Sequence, residues 1–161
     1  MGKSWHFKNH KHQRNMTHDQ AKRHEERAFD YLLKRYGWQI FTTPHFALID
    51  GVAVMDNEIT HIVEFKSRNE SLSSMERFGT YLISNDKIMN GMEMARMMCV
   101  PFILIVCLIK DDTIIAVEIG DQYGINDVGI EVKATETQKS IEGGKAIRNN
   151  AFIDIDKFHI F

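Results

Sequence analysis

Apolar residues recur at three- and four-residue intervals in "THDQAKRHEERAFDYLLKRYG", where Ala21, Ala28, Phe29, Leu32, Leu33 and Tyr36 fall at helical spacing. Thr17 and Gln20 stand three apart, as in a capping box, and Gly37 lies where a helix stop belongs, so the pattern predicts a helix over 17–37. The period then shortens. "WQIFTT" reads as a strand ended by Pro44, "FALID" and "VAVM" as extended segments around Gly51, and "DNE" as a turn into the strand "ITHIVEFKSR". "NESLSSMERFGTY" reads as a polar loop or short helical piece. Ser84 opens a second helix, "NDKIMNGMEMARMMC", with Ile88, Met92, Ala95 and Cys99 on one face. Pro101 leads into the strand "FILIVCLI", and Asp111 and Asp112 turn it back into "TIIAVEI". "IEVKA" and "AFIDI" are weaker strand candidates in a tail whose patterning fades from Gly120 onward.

Helix, three or more strands, helix, strand, strand is the order of an α/β (α+β) fold, a central mixed β-sheet flanked by helices. Neither an internal repeat nor a dividing linker is visible. The expectation is a basic flexible arm over 1–16 and a single domain over 17–161, with its core at about 20–119 and a C-terminal extension at 120–161. A chain of 161 residues is long enough to bury a core. Its longest apolar run, "VPFILIVCLI", is half the roughly 20 residues of a membrane span. The first residues, "MGKSWHFKNHKHQRN", lack the apolar stretch of a secretory signal. Cys99 and Cys107 have no CxxC spacing, which excludes a disulfide framework or iron–sulfur site and points to a reduced, cytoplasmic setting.

The net charge of −2 conceals a basic end. Residues 1–35 hold nine Lys/Arg against four Asp/Glu, together with five of the eight histidines. Such a segment is either a solvated tail or a contact for nucleic-acid phosphates through counterion release.

One strand breaks the apolar pattern. In "HIVEFKSRN", Glu64 and Lys66 project from one face while Val63 and Phe65 take the other. A turn at Asp56 and Asn57 would fold the chain back and bring Asp50 beside Glu64 at an edge of the sheet. Two converging carboxylates make a hard-oxygen site of the kind that holds Mg²⁺ or Mn²⁺. A lysine beside the ion can hold a phosphate, stabilise developing charge or help deprotonate water. The bland alternative is a cross-strand ion pair on a solvated face.

Asp50…Glu64-Phe65-Lys66 resembles the signature of the PD-(D/E)xK nuclease superfamily, and the element order resembles its restriction-endonuclease-like core. "ERAFDYLLKRYGW" resembles the first helix of archaeal Holliday-junction resolvases, and chain compactness is similar to that of small phage endonucleases. The resemblance covers about residues 20–110. It implies a Mg²⁺-dependent (or Mn²⁺-dependent) DNA endonuclease, possible junction specificity, a homodimer, and host cytoplasm if phage-encoded. It implies Asp50, Glu64 and the Phe65 carbonyl as metal ligands, and Lys66 as the residue that orients or activates water. Glu26 on the first helix would complete the acidic set, with Glu25 in reserve. Lys87, in the first turn of the second helix, is a further candidate where the positive helix end favours anions. Ile49 stands where the motif's proline would be, and the tail has no counterpart. A restriction-type or end-processing nuclease of the same fold, or a catalytically silent DNA-binding or assembly protein, are the alternatives.

A second triplet, Glu131-Val132-Lys133, has Asp121 upstream but no convincing apolar helix after it, so context favours the first. The methionines of the second helix read as core or dimer contacts, and His61 as a packed residue. "EGGKA" lacks the spacing of a phosphate-binding loop.

Overall fold

The computed structural model describes residues 18–44, 47–138 and 144–161; the expected basic arm and the Thr17 cap lie outside the described residues. The amphipathic segment forms α1 (His18–Tyr36), stopped by Gly37 at φ 73°, whose N–H donates to the Leu33 carbonyl at 2.9 Å. β1 (Gln39–Thr42), β2 (Gly51–Met55) and β3 (Glu58–Arg68) follow as an antiparallel set. Next come α2 (Leu72–Phe78), β4 (Thr80–Ser84) and α3 (Asn85–Met98), which carry the chain over to β5 (Phe102–Leu108). β5 lies parallel to β3, an arrangement that needs such a crossover. β6 (Thr113–Asp121) returns antiparallel, and the tail adds β7 (Gly124–Ile125), β8 (Glu131–Gln138), β9 (Lys145–Asp154), a 3₁₀ turn and β10 (His159–Ile160).

The principal sheet runs β1-β2-β3-β5-β6-β10, with β7 paired to β6. Helices cover both of its faces, so every residue of β5 is buried. On one face Ala28 and Leu32 of α1 join Val63, Phe65, Ile103 and Ile105. On the other, Ile88, Met92 and Ala95 of α3 join Ile62, Leu104 and Val106. Gly91 lets α3 come close, because a Cβ there would run into the Phe102 ring. The result is the central mixed sheet between helices that the patterning predicts. Among the described residues no helix is long and apolar enough to cross a membrane.

Some local readings change. The stretch 47–50, expected as part of an extended segment, is a bend. Cys99 leaves the buried face and caps α3 in the left-handed region (φ 53°), exposed. Ser84 precedes α3 without a side-chain cap bond. Thr80 and Tyr81, expected to end a polar loop or short helical piece, instead open β4, which joins β9 and β8 in a second, three-stranded sheet.

Candidate active site

The site is built where β2 and β3 part. They pair from the turn at Asp56 and Asn57, both at positive φ, up to Gly51 opposite Val63. There β2 ends and β3 runs on, leaving the Phe65 N–H without a strand partner on that side. Asp50 fills the gap: its Oδ2 accepts from the Phe65 N–H at 3.0 Å. Its backbone is pinned as well. The Asp50 carbonyl accepts from the Thr43 N–H at 2.9 Å, and the Thr43 hydroxyl donates to the Ile49 carbonyl. A Cβ on Gly51 would fall 2.5 Å from the Phe41 carbonyl oxygen, so only glycine lets β1 approach this closely.

The alternation of β3 puts Glu64 and Lys66 on the α3 side, in line with buried Ile62. Glu64 is 1% exposed. The Lys66 ammonium stands 2.9 Å from Asp50 Oδ2, 2.6 Å from Glu64 Oε1 and 3.1 Å from the Phe65 carbonyl oxygen. Lys87 enters from the first turn of α3 and stands 3.1 Å from Asp50 Oδ1 and 3.3 Å from Glu64 Oε2. Each carboxylate therefore meets both amines. Glu64 Oε1 is nonetheless orphaned as a hydrogen-bond acceptor, because the 2.6 Å approach of Lys66 is an ion contact at a poor angle.

The two acids respond in opposite ways. Burial opposes ionisation of Asp50, but Lys66, Lys87 and the Phe65 N–H outweigh it and hold the pKa below the usual range. For Glu64 burial wins, aided by the Asp50 charge, and its pKa is raised despite the two lysines.

The structure brings Asp50, Glu64, the Phe65 carbonyl, Lys66 and Lys87 together, and leaves Glu26 out. Glu26 is exposed on α1, whereas Glu25 lines a cavity of about 250 Å³ with Thr43, Asp50, Phe65 and Lys87. Partial burial and the Asp50 charge raise the Glu25 pKa. The helix period explains the correction: Glu25 lies three residues before Ala28 and seven before Leu32, on the sheet-facing stripe, and Glu26 is turned about 100° away. That stripe is the signal by which Glu25 could have been chosen. A second correction concerns position: β3 lies inside the sheet, between β2 and β5, so the acids meet at a strand end and not at a sheet edge.

Among the described residues no three His, Cys, Asp or Glu side chains gather as a metal cluster. The oxygens that do converge are two carboxylates and one backbone carbonyl. That donor set suits a small hard cation that keeps several waters.

A mixed sheet between helices, with a splayed hairpin setting an aspartate against Glu64-Phe65-Lys66, defines the restriction-endonuclease-like class and its PD-(D/E)xK signature. The model of the family described as "Phage putative PDDEXK endonuclease" matches residues 12–129, and the chain belongs to that family. The match spans α1 through β7 and stops short of β8. No curated protein matches the chain.

Proposed function

We propose that the protein hydrolyses phosphodiester bonds in DNA as a Mg²⁺-dependent endonuclease, with Mn²⁺ as a substitute. The observation that carries this reading is the convergence of three hard oxygens, Asp50 Oδ2, Glu64 Oε1 and the Phe65 carbonyl, on one cationic point at 2.6–3.1 Å. The ammonium of Lys66 fills that point, and a divalent ion suits it equally by charge and donor type. The orphaned Oε1 of Glu64 favours a stronger partner than a poorly aligned amine.

Asp50, Glu64 and the Phe65 carbonyl would hold the ion. When bound it would offset phosphate charge and increase the acidity of water. Lys66, released from the oxygens, stays on the same strand face and is left to hold or orient water at the phosphate. Lys87 adds positive charge at the N-terminal end of α3, where negative charge developing on the phosphate is favoured. Glu25, facing the same cavity with a raised pKa, is the helix carboxylate placed to accept a proton or extend the acidic set.

Digestion of labelled four-way junction, linear duplex and single-stranded DNA with Mg²⁺, Mn²⁺ or EDTA tests this reading. Cleavage with either ion and none with EDTA is expected. Preference for the junction would make the enzyme a resolvase, and that activity requires a dimer, which sedimentation reads directly. Wild-type cleavage rates in Glu64→Ala and Lys66→Ala would remove the assignment.

A further inference from the structure

The face of β3 that carries Glu64 and Lys66 continues to Arg68, the last residue of the strand. Two residues of extended chain set it about 6.6 Å beyond Lys66, comparable with the separation of neighbouring phosphates along one strand. Among the described residues Arg68 forms no ion pair with a carboxylate. Its guanidinium makes a marginal contact, Nη1 to the Ser67 carbonyl at 3.5 Å, and acts on the Tyr81 hydroxyl through charge and hydrogen bonding. What holds it is an aromatic platform: the guanidinium lies 5.4 Å from the centroid of the Tyr81 ring.

Tyr81 is built to be that platform. β4 brings it in from the second sheet, opposite Ile153, and it is 1% exposed. Its ring packs at 5.8 Å from that of Phe158. The phenol oxygen is buried, and burial pushes its pKa up to about 12, against the charge and hydrogen bonding of Arg68. The ring therefore stays neutral, and the half-buried cation on it is held by neutral groups, with no carboxylate paired to it among the described residues. A planar fork that carries permanent charge and is stacked on a fixed ring suits two oxygens of one phosphate.

We infer that Arg68, held on Tyr81, is a DNA-binding residue that grips the phosphate next to the scissile one, so that the β3 face reads a strand of at least two phosphates. This rests on the nuclease reading and deepens it. It gives the site a reason to take a polynucleotide in preference to a mononucleotide.

The test is fluorescence anisotropy of a labelled duplex in EDTA, which prevents cleavage, across a series of salt concentrations. Arg68→Gln is expected to weaken binding about tenfold and to lower the log–log salt slope by about one. Arg68→Lys keeps the charge but loses fork and stack, so it should bind more weakly than wild type with the wild-type slope. Tyr81→Phe should match wild type, since the ring and not the hydroxyl is the platform. A neutral methylphosphonate beside the mapped cleavage position should weaken the wild type and leave Arg68→Gln unaffected. Unchanged affinity and slope in Arg68→Gln would overturn the inference while the nuclease reading stands. No DNA binding by the wild type would remove both.

Discussion

The chain carries the same three-residue pattern twice, and the two copies occupy opposite environments. Glu64-Phe65-Lys66 lies in an interior strand with helices on both faces. Its glutamate is 1% exposed, and both charged side chains meet Asp50 or a second lysine. Glu131-Val132-Lys133 lies on β8, the outer strand of the small sheet, with its side chains 64% and 52% exposed. Its charges meet each other at 2.7 Å, and no further ion pair is seen for either among the described residues. The family match ends at residue 129, before the second copy begins. A motif of this length is therefore chemically empty until the fold desolvates it and adds a third group from another segment.

The sharpest way to break the comparison is to disarm each copy in turn. Glu64→Ala and Lys66→Ala should each lower metal-dependent cleavage by about 10²–10³-fold or more, the scale on which a single charge-stabilising group is lost. The same changes at Glu131 and Lys133 should leave the rate at wild type. Single-turnover cleavage of one labelled duplex by all four variants is the measurement. Equal losses at both triplets would mean that burial and convergence do not decide function here.

A smaller effect separates neighbours on α1. Glu25→Gln should slow cleavage about 10–100-fold, as expected for a group that supports a metal site from its periphery, and Glu26→Gln should not. Lys87→Ala belongs with Glu25→Gln in size. A loss confined to Glu26→Gln would show that α1 turns differently when DNA is bound.

What could be read beforehand follows the distance over which each feature is encoded. α1, the β2–β3 hairpin, α3 and the β5–β6 pair announce themselves through local period and turn residues. β4 does not: "TYLIS" is five residues between two helices, and its partner β9 lies some 70 positions away, so its pairing is purely tertiary. The same blindness put the acids at an edge, since the parallel partner β5 reaches β3 only after a crossover. Glu64 and Lys66 stand out because charge interrupting an apolar strand is costly and therefore conspicuous. Asp50 is reached instead through the turn at Asp56 and Asn57, and Lys87 through its place in the first turn of α3. Glu25 is kept only in reserve behind Glu26 because a motif aligned by its first glutamate ignores which side of the helix faces the sheet.

Stability measured in EDTA sharpens the contrast within the first triplet's own surroundings. Asp50, with its pKa lowered, contributes stability above the ordinary carboxylate range, and that contribution is lost as pH falls through the lowered value. Glu64, with its pKa raised, behaves oppositely: its contribution is full below its ordinary value of 4.5 and is lost as pH rises through the raised one. At neutral pH Asp50→Asn should therefore lower Tm and Glu64→Gln should raise it, and both differences should shrink on acidification. Thermal melts at several pH values read both signs. A lower Tm for Glu64→Gln at neutral pH would mean that Lys66 and Lys87 outweigh burial at Glu64, making the pair an ordinary ion network.

The smallest expected effect belongs to the second triplet and closes the comparison. An exposed ion pair on an outer strand gains little from Coulomb attraction in water and loses side-chain freedom in forming. Glu131→Ala and Lys133→Ala should each stay within about 0.5 kcal/mol of wild type. The double variant should show coupling of no more than about 1 kcal/mol, falling further in high salt. Lys133 also lies 5.6 Å from the Phe152 ring centroid, so its loss should slightly exceed that of Glu131. Denaturant unfolding of the two singles and the double, in low and high salt, supplies the cycle. Coupling of several kcal/mol that persists in salt would place this pair in the same desolvated regime as Glu64 and Lys66, and exposure would no longer explain why the two triplets differ.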